Sequence, residues 1–189
     1  DRGEQEMIQG VLELQTQRVK EIMRPRVEII AVPKDMSVAT VLGVVRESGY
    51  SRIPVYDGEI DNIVGIVLAK NVLDFFFKGV LVDDDVIRKI RGEEAFSDDA
   101  SAADIAKLSA LTIDETKNSN ILTGSEMTKR MQESITDAGL IESCYFVPET
   151  ANGWSVLQEM RKRRVHMAIV VDEFGGTEGL VSLEDIVEE

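Results

Sequence analysis

The sequence predicts an α+β fold built from two copies of one β-α-β-β-α unit. Three observations carry this. Residues 32–57 can be laid on residues 147–172 without a gap, so that Val32-Pro33 falls on Val147-Pro148, Arg46 on Arg161 and Asp57 on Asp172. With one residue lost in the next turn, Gly65-Ile66-Val67 falls on Gly179-Leu180-Val181. Within each copy, strand-like apolar runs flank a segment of helical spacing. A unit of this size rarely buries its own apolar face, so two copies are expected to pack together. Each half is expected to be a three-stranded sheet with two helices on one face.

Met7, Val11, Leu14 and Ile22 form one apolar stripe over Glu4 to Met23, a helix ended by Pro25. Ile29-Ile30-Ala31-Val32 reads as a short buried strand. Asp35 or Ser37 caps the next helix, whose buried face is Val38, Val41, Leu42 and Val45 and which Gly49 stops. Arg52 to Tyr56 and Ile63 to Val67 are strands joined through Asp57-Gly58, and Asn71 to Phe77 starts another helix. The second copy repeats the order: Tyr145-Phe146-Val147, the helix Trp154 to Arg164, Met167 to Val171, Gly179-Leu180-Val181, then a helix from Ser182. The resulting division is residues 1–26 as N-terminal helix and linker, 27–82 as the first repeat, 83–140 as an acidic insertion and 141–189 as the second repeat. The insertion holds two helix-like stretches, Ala102 to Leu111 and Glu126 to Ala138. It is too long for an ordinary connection and is expected to be dispensable for fold and ligand.

Composition narrows the function. A net charge of −14 argues against a nucleic-acid partner, which would need a basic face. One cysteine, Cys144, permits no internal disulfide, and one histidine, His166, leaves no set of side chains for a zinc site. No nucleophile–base pair is recognisable, so an enzyme is not expected. The best apolar run, Val72 to Val82, is broken by Asp74 and Lys78 and is too short to span a bilayer. The closing Ile186-Val187-Glu188-Glu189 reads as a helix cut short, as in a piece of a longer protein.

One constellation could carry chemistry. Gly179-x-x-Ser182-x-x-Asp185 lies where a strand hands over to a helix. Glycine lets a ligand approach, the Ser182 hydroxyl with first-turn N–H groups suits phosphate, and Asp185 could accept both hydroxyls of a ribose. The same spacing also serves as a weak capping box, which the spacing alone favours. Against capping stands the first copy, where Leu68 replaces Ser182 and Asn71 replaces Asp185. A hydroxyl and a carboxylate are lost together, as expected if one of two related pockets no longer holds a ligand. Tyr50 offers a ring for a base and Arg52 a guanidinium for phosphates, although each residue taken alone reads rather as structural, a half-buried core aromatic and a solvated strand-edge charge. His166 stands where the first copy has Ser51. Arg161-Lys162-Arg163-Arg164 complements a helix dipole. Glu173-Phe174-Gly175-Gly176-Thr177 is a turn with no P-loop signature.

The duplicated unit closed by Gly-x-x-Ser-x-x-Asp resembles a tandem CBS-domain pair, or Bateman module. More narrowly, Glu21 to Arg26, Tyr50 to Asp57, His166 to Thr177 and Gly179 to Asp185 are similar to the CBS pair of the CorC/cyclin M family. That family is linked to magnesium and cobalt transport, with a transmembrane domain ahead of the pair. The resemblance covers residues 4–82 and 141–189. It implies a regulatory module that binds adenine nucleotide (ATP or AMP, with or without Mg²⁺) and forms a homodimer. The alternative is a dimerisation scaffold with a non-functional pocket. Carried over, it puts Ser182 on phosphate, Asp185 on ribose, and Tyr50, Ser51, Arg52 and Ile53 around base and phosphates. No metal ligand from protein side chains is implied. A second pocket, joining Leu68 and Asn71 to His166 and Met167, has lost the groups it would need. The insertion is similar to that of plastid members, which implies a chloroplast membrane, or else the cytoplasmic side of a cell membrane.

Overall fold

Two helices of equal rank start from two matching caps. The Ser37 Oγ accepts the Thr40 N–H at 3.2 Å and opens α3 (Val38–Ser48); Asn152 accepts the Ser155 N–H at 3.2 Å and opens α6 (Gly153–Arg163). Around them, a computed structural model describes residues 2–77, 80–82 and 121–184. The remaining elements are α1 (Arg2–Thr16), α2 (Val19–Ile22), β1 (Arg24–Pro25), a 3-10 turn (Arg26–Glu28), β2 (Val32–Pro33), β3 (Arg52–Tyr56), β4 (Ile63–Leu68) and α4 (Ala69–Phe77). After these come β5 (Val80–Val82), β6 (Ile121–Thr123), α5 (Gly124–Gln132), β7 (Ile141–Glu142), β8 (Tyr145–Pro148), β9 (Met167–Val171) and β10 (Thr177–Ser182). Asp185, the stretch 83–120 and with it the helix-like Ala102 to Leu111 lie outside the described residues.

The class is α+β, as the repeat predicts. Among the described residues the main strands form two four-stranded sheets, ordered β2-β3-β4-β7 and β1-β10-β9-β8. Both have one parallel pair (β2 with β3, β8 with β9) and two antiparallel ones. Each sheet has one strand more than the three expected, because each borrows its last strand from the segment leading into the other repeat. β1 pairs with β10, placing Arg24 opposite Leu180, and β7 pairs with β4, placing Glu142 opposite Ile66. The borrowed strands run close against a glycine. A Cβ on Gly179 would strike the Arg24 carbonyl oxygen and the Met23 side chain, and one on Gly65 would strike the Glu142 carbonyl and the Ile141 side chain.

The exchange extends to the helices before those strands. Val19 N–H donates to the Ala151 carbonyl at 2.7 Å and Gly153 N–H to the Gln17 carbonyl at 2.9 Å. At the matching positions Ile135 N–H donates to Met36 at 2.9 Å and Val38 N–H to Glu133 at 2.8 Å. So α1 and α2 dock on the second repeat, where Leu14 of α1 and Val19 and Ile22 of α2 enter the core with Val156, Met160 and Val181. The twin α5 docks on the first, where Ile135 and Leu140 join Val41, Ile53 and Val67, with Met127 and Met131 packed alongside. The sequence division left residues 124–140 inside a dispensable insertion. The structure corrects this: Ile135 is 0% exposed, and fully burying such a side chain is worth about 1.5–3 kcal/mol.

Local differences from the expected elements have simple causes. The single helix over Glu4 to Met23 is broken at Arg18, whose extended backbone bridges Asn152. The Glu21 carboxylate accepts the freed Arg18 N–H at 2.7 Å. Met7, Ile8 and Leu12 remain exposed, so the apolar stripe of α1 is covered only towards its C-terminal end. The strand read over Ile29 to Val32 shrinks to Val32–Pro33, because the preceding residues turn as a 3-10 helix. A third apolar layer, Ile63, Ile169 and Leu180 with Tyr56, Cys144 and Met167 beside it, lies between the sheets. The central strands β3 and β9 are therefore buried on both faces, and the cleft between the repeats opens where they begin.

Candidate functional site

Gly49 turns the chain out of α3 with φ +71, a conformation glycine adopts without steric penalty, and Tyr50-Ser51-Arg52 then lead into β3. In the second repeat Arg164 makes the equivalent turn, and Val165-His166-Met167 lead into β9. One backbone bond recurs at the start of both middle strands. Ala69 N–H donates to the Ser51 carbonyl at 2.9 Å, and Leu183 N–H to the His166 carbonyl at 2.8 Å. Each bond ties the start of the next helix to the start of the middle strand, which brings a phosphate-type motif and the mouth of that strand together.

The cleft so formed has a volume of about 340 Å³, within the range of small-ligand sites. Tyr50, Ser51 and Arg52 line it from the first repeat, and His166, Met167 and Ser182 from the second. Arg24 reaches it from β1, with its guanidinium carbon 5.2 Å from the centre of the Tyr50 ring, in cation–π range. Glu184 adds one carboxylate at the mouth. Two guanidiniums, two serine hydroxyls and a half-exposed aromatic face thus converge between the repeats. That set suits a ligand with an anionic end and a flat end.

Of the residues singled out in the sequence, Tyr50, Ser51, Arg52 and Ser182 are brought together here. Ile53 is 0% exposed within the first core and does not line the cleft, because strand alternation turns its side chain towards α3. The four residues of the second pocket are divided. His166 and Met167 line the cleft with Tyr50, whereas Asn71 donates to the Glu142 carboxylate at 2.8 Å and Leu68 stands opposite Arg52 in the β3–β4 ladder. Arg24 and Glu184 were not singled out by sequence reasoning. The signal for Arg24 was its place before Pro25 at the end of the first helix, which gives no hint that the strand crosses to the other repeat.

The pairing register makes Glu142 the counterpart of Arg24. Where one half puts a cation beside Tyr50 and Ser182, the other puts a carboxylate beside Asn71 and Leu68. An anion is thereby favoured on one side and repelled on the other. Cys144 sits between the sheets, and burial pushes its thiol up to about 11, so it is no nucleophile at neutral pH. Among the described residues no group of His, Cys, Asp or Glu is arranged to hold a metal ion, and no helix is long and apolar enough to cross a membrane.

The family model for the CBS domain matches residues 19–78 and 135–189, the second match opening at the very residue that fills the first core. The chain belongs to the CBS-domain family, as a tandem pair of the CorC type. A chloroplastic DUF21 domain-containing protein of Arabidopsis thaliana is 33% identical over 189 residues, all of this chain and 21% of its own. The magnesium and cobalt efflux protein CorC of Escherichia coli (strain K12) is 31% identical over 188 residues, 47% of its length. The CBS domain of a bacterial CNNM/CorC family Mg²⁺ transporter, solved in complex with ATP, is 35% identical with a TM-score of 0.66; the match covers 98% of this chain and 95% of that one. The chain therefore spans between a fifth and a half of the curated relatives it matches.

Proposed function

We propose that this CBS pair is a non-enzymatic regulatory module that binds an adenine nucleotide, with Mg²⁺ as counter-ion, in the cleft between its repeats. The observation that carries the reading is the convergence of Arg24, Arg52 and Ser182 beside the Tyr50 ring, on residues drawn from both repeats. The guanidiniums and the Ser182 hydroxyl take the phosphates, and Tyr50 takes the base. Asp185, from its place in the Gly-x-x-Ser-x-x-Asp motif, takes the ribose. The ATP held by the similar bacterial domain supports this class of ligand. By the same similarity the module acts within a longer membrane protein concerned with divalent-cation transport, with the chloroplast as its location. A homodimer of pairs is the assembly we infer for it.

Calorimetric titration with ATP, ADP and AMP, with and without Mg²⁺, tests the reading. Asp185→Ala and Arg52→Ala should each weaken binding by about 1.5–3 kcal/mol, the usual size for a hydrogen bond to a charged group. Asn71→Ala should change it little, since Asn71 is engaged with Glu142. Equal losses from Asn71→Ala and Asp185→Ala would refute the assignment of one competent side. No heat with any nucleotide, together with a stable dimer on light scattering, would leave the dimerisation scaffold.

A further inference from the structure

The ends of α3 and α6 are twins with opposite surfaces. Both helices have 11 residues, and in the gap-free alignment Arg46-Glu47-Ser48-Gly49 falls on Arg161-Lys162-Arg163-Arg164. Their dipoles are therefore equal, and α3 meets its own with one arginine, offset by Glu47. The three further cations of α6 are more than its dipole requires. One of them is held at a cost. Among the described residues Arg164 is the one residue other than glycine with a left-handed backbone, at φ +56, where its twin uses Gly49. A strained residue kept where glycine would be free points to a demand on its side chain.

That demand does not come from inside the fold. All four residues are exposed. Arg163 alone is engaged, with Glu159 at 2.6 Å and with the Tyr145 ring at 4.4 Å. Among the described residues the side chains of Arg161, Lys162 and Arg164 have no hydrogen-bond or ion-pair partner, and none of the four lines the cleft. Consecutive helical residues point about 100° apart, so the run cannot close round one compact anion. Seen end-on, it spreads its cations over the tip of the helix, which suits a plane of negative charge.

We propose that the C-terminal tip of α6 docks on an anionic lipid surface and so orients the CBS pair against a membrane. This rests on the reading of the module as part of a membrane protein and is independent of what fills the cleft. The net charge of −14 does not forbid it, because exposed charges more than about 10 Å from the contact are largely screened at about 0.1 M salt. Each lysine or arginine brought to an anionic surface strengthens the partition about fivefold.

Flotation of the 189-residue chain with vesicles at about 0.1 M salt provides the test. One set of vesicles holds one part phosphatidylglycerol to two parts phosphatidylcholine, the other phosphatidylcholine alone. The wild type should partition onto the anionic vesicles only, and should leave them at about 1 M salt. Lys162→Gln/Arg164→Gly keeps the Arg163 contacts and should partition roughly thirtyfold less, two cations being lost. Lys162→Gln alone, at an exposed position, should lose about fivefold whatever glycine does to the turn. Lys70→Gln/Lys129→Gln removes the same net charge from exposed positions on α4 and α5 and should partition as the wild type does. Equal losses in the two double variants overturn the inference, since net charge alone would then be at work. So does partition of similar strength onto neutral vesicles, or none onto either. Retention on immobilised polyglutamate without partition onto vesicles would overturn it in favour of an acidic polypeptide. Each of these results leaves the nucleotide reading intact, and failure of the wild type to bind ATP would leave the lipid contact standing.

Discussion

At the ends of α3 and α6 the chain makes one left-handed turn with two different residues, Gly49 at φ +71 and Arg164 at φ +56. Gly49 adopts this backbone freely, whereas a side chain there meets its own carbonyl and is held only by its surroundings. The surroundings of the basic run are partly visible. Arg163 donates to Glu159 at 2.6 Å and lies 4.4 Å over the Tyr145 ring, and that bond holds the Glu159 carboxyl below its ordinary value. These contacts belong to Arg163 and not to Arg164. Arg164→Gly should therefore stabilise the protein by about 0.5–1 kcal/mol, the left-handed strain removed exceeding the extra freedom glycine gives the unfolded chain. In thermal denaturation that is a rise of roughly 1–4 °C. A fall in melting temperature would show that Arg164 makes a contact worth more than the strain. The Gly49 turn and the Ser37 cap were legible in the sequence because each uses the residue its geometry prefers. Arg164 gave no such sign, since an arginine at a helix end reads first as a dipole partner.

Among the elements, the middle strands and the two capped helices were legible because their apolar residues follow one period over several turns. The exchanged helices were legible as helices, over Glu4 to Met23 and Glu126 to Ala138, but the repeat on which each docks was not. In α5 and just beyond it, Met127, Met131 and Ile135 are spaced as a buried face, but they stand among Lys129, Arg130 and Glu133 and follow a long acidic stretch. Nor does the gap-free alignment of residues 32–57 reach them, because the spacing between twins changes ahead of each repeat. Composition thus assigned to an insertion what packing assigns to the first core. Ile135→Ala should destabilise the chain by about 2–5 kcal/mol, the range for emptying a close-packed site. Ile8→Ala, on the exposed side of α1, should stay within about 0.5 kcal/mol. Urea unfolding distinguishes the two directly. A loss under about 1 kcal/mol at Ile135 would mean that the first repeat closes without the segment that follows residue 120.

In the whole molecule, the exchanged strands connect the cleft to the segment that enters the pair. The cleft's Tyr50, Arg52 and Ser182 could be paired from sequence only through the resemblance to the CBS pair, which implies a site joining the middle-strand entry of one copy to the closing motif of the other. Arg24 could not, since its position depends on β1 crossing to β10, and two residues of strand leave no periodic signal. Yet that crossing is where a bound anion would hold the N-terminal helix, through Arg24, in one place. The pseudo-symmetry supplies an internal control. Gly179→Ala would drive a Cβ into the Arg24 carbonyl and push β1 off its sheet, and Gly65→Ala would do the same to β7 through Glu142. Both should lower stability by a similar amount, about 1–3 kcal/mol, because each forces a borrowed strand away from its ladder. Only Gly179→Ala should also weaken the nucleotide, since only β1 carries a cation into the cleft; a loss of about 1–2 kcal/mol is expected if Arg24 keeps part of its reach. Calorimetry and urea unfolding on the two variants, at a temperature where both are folded, read the two effects separately. Equal losses of affinity would mean that the ligand senses general loosening of the pair. Loss at Gly179 alone would place the route from ligand to N-terminal helix in the two residues of β1.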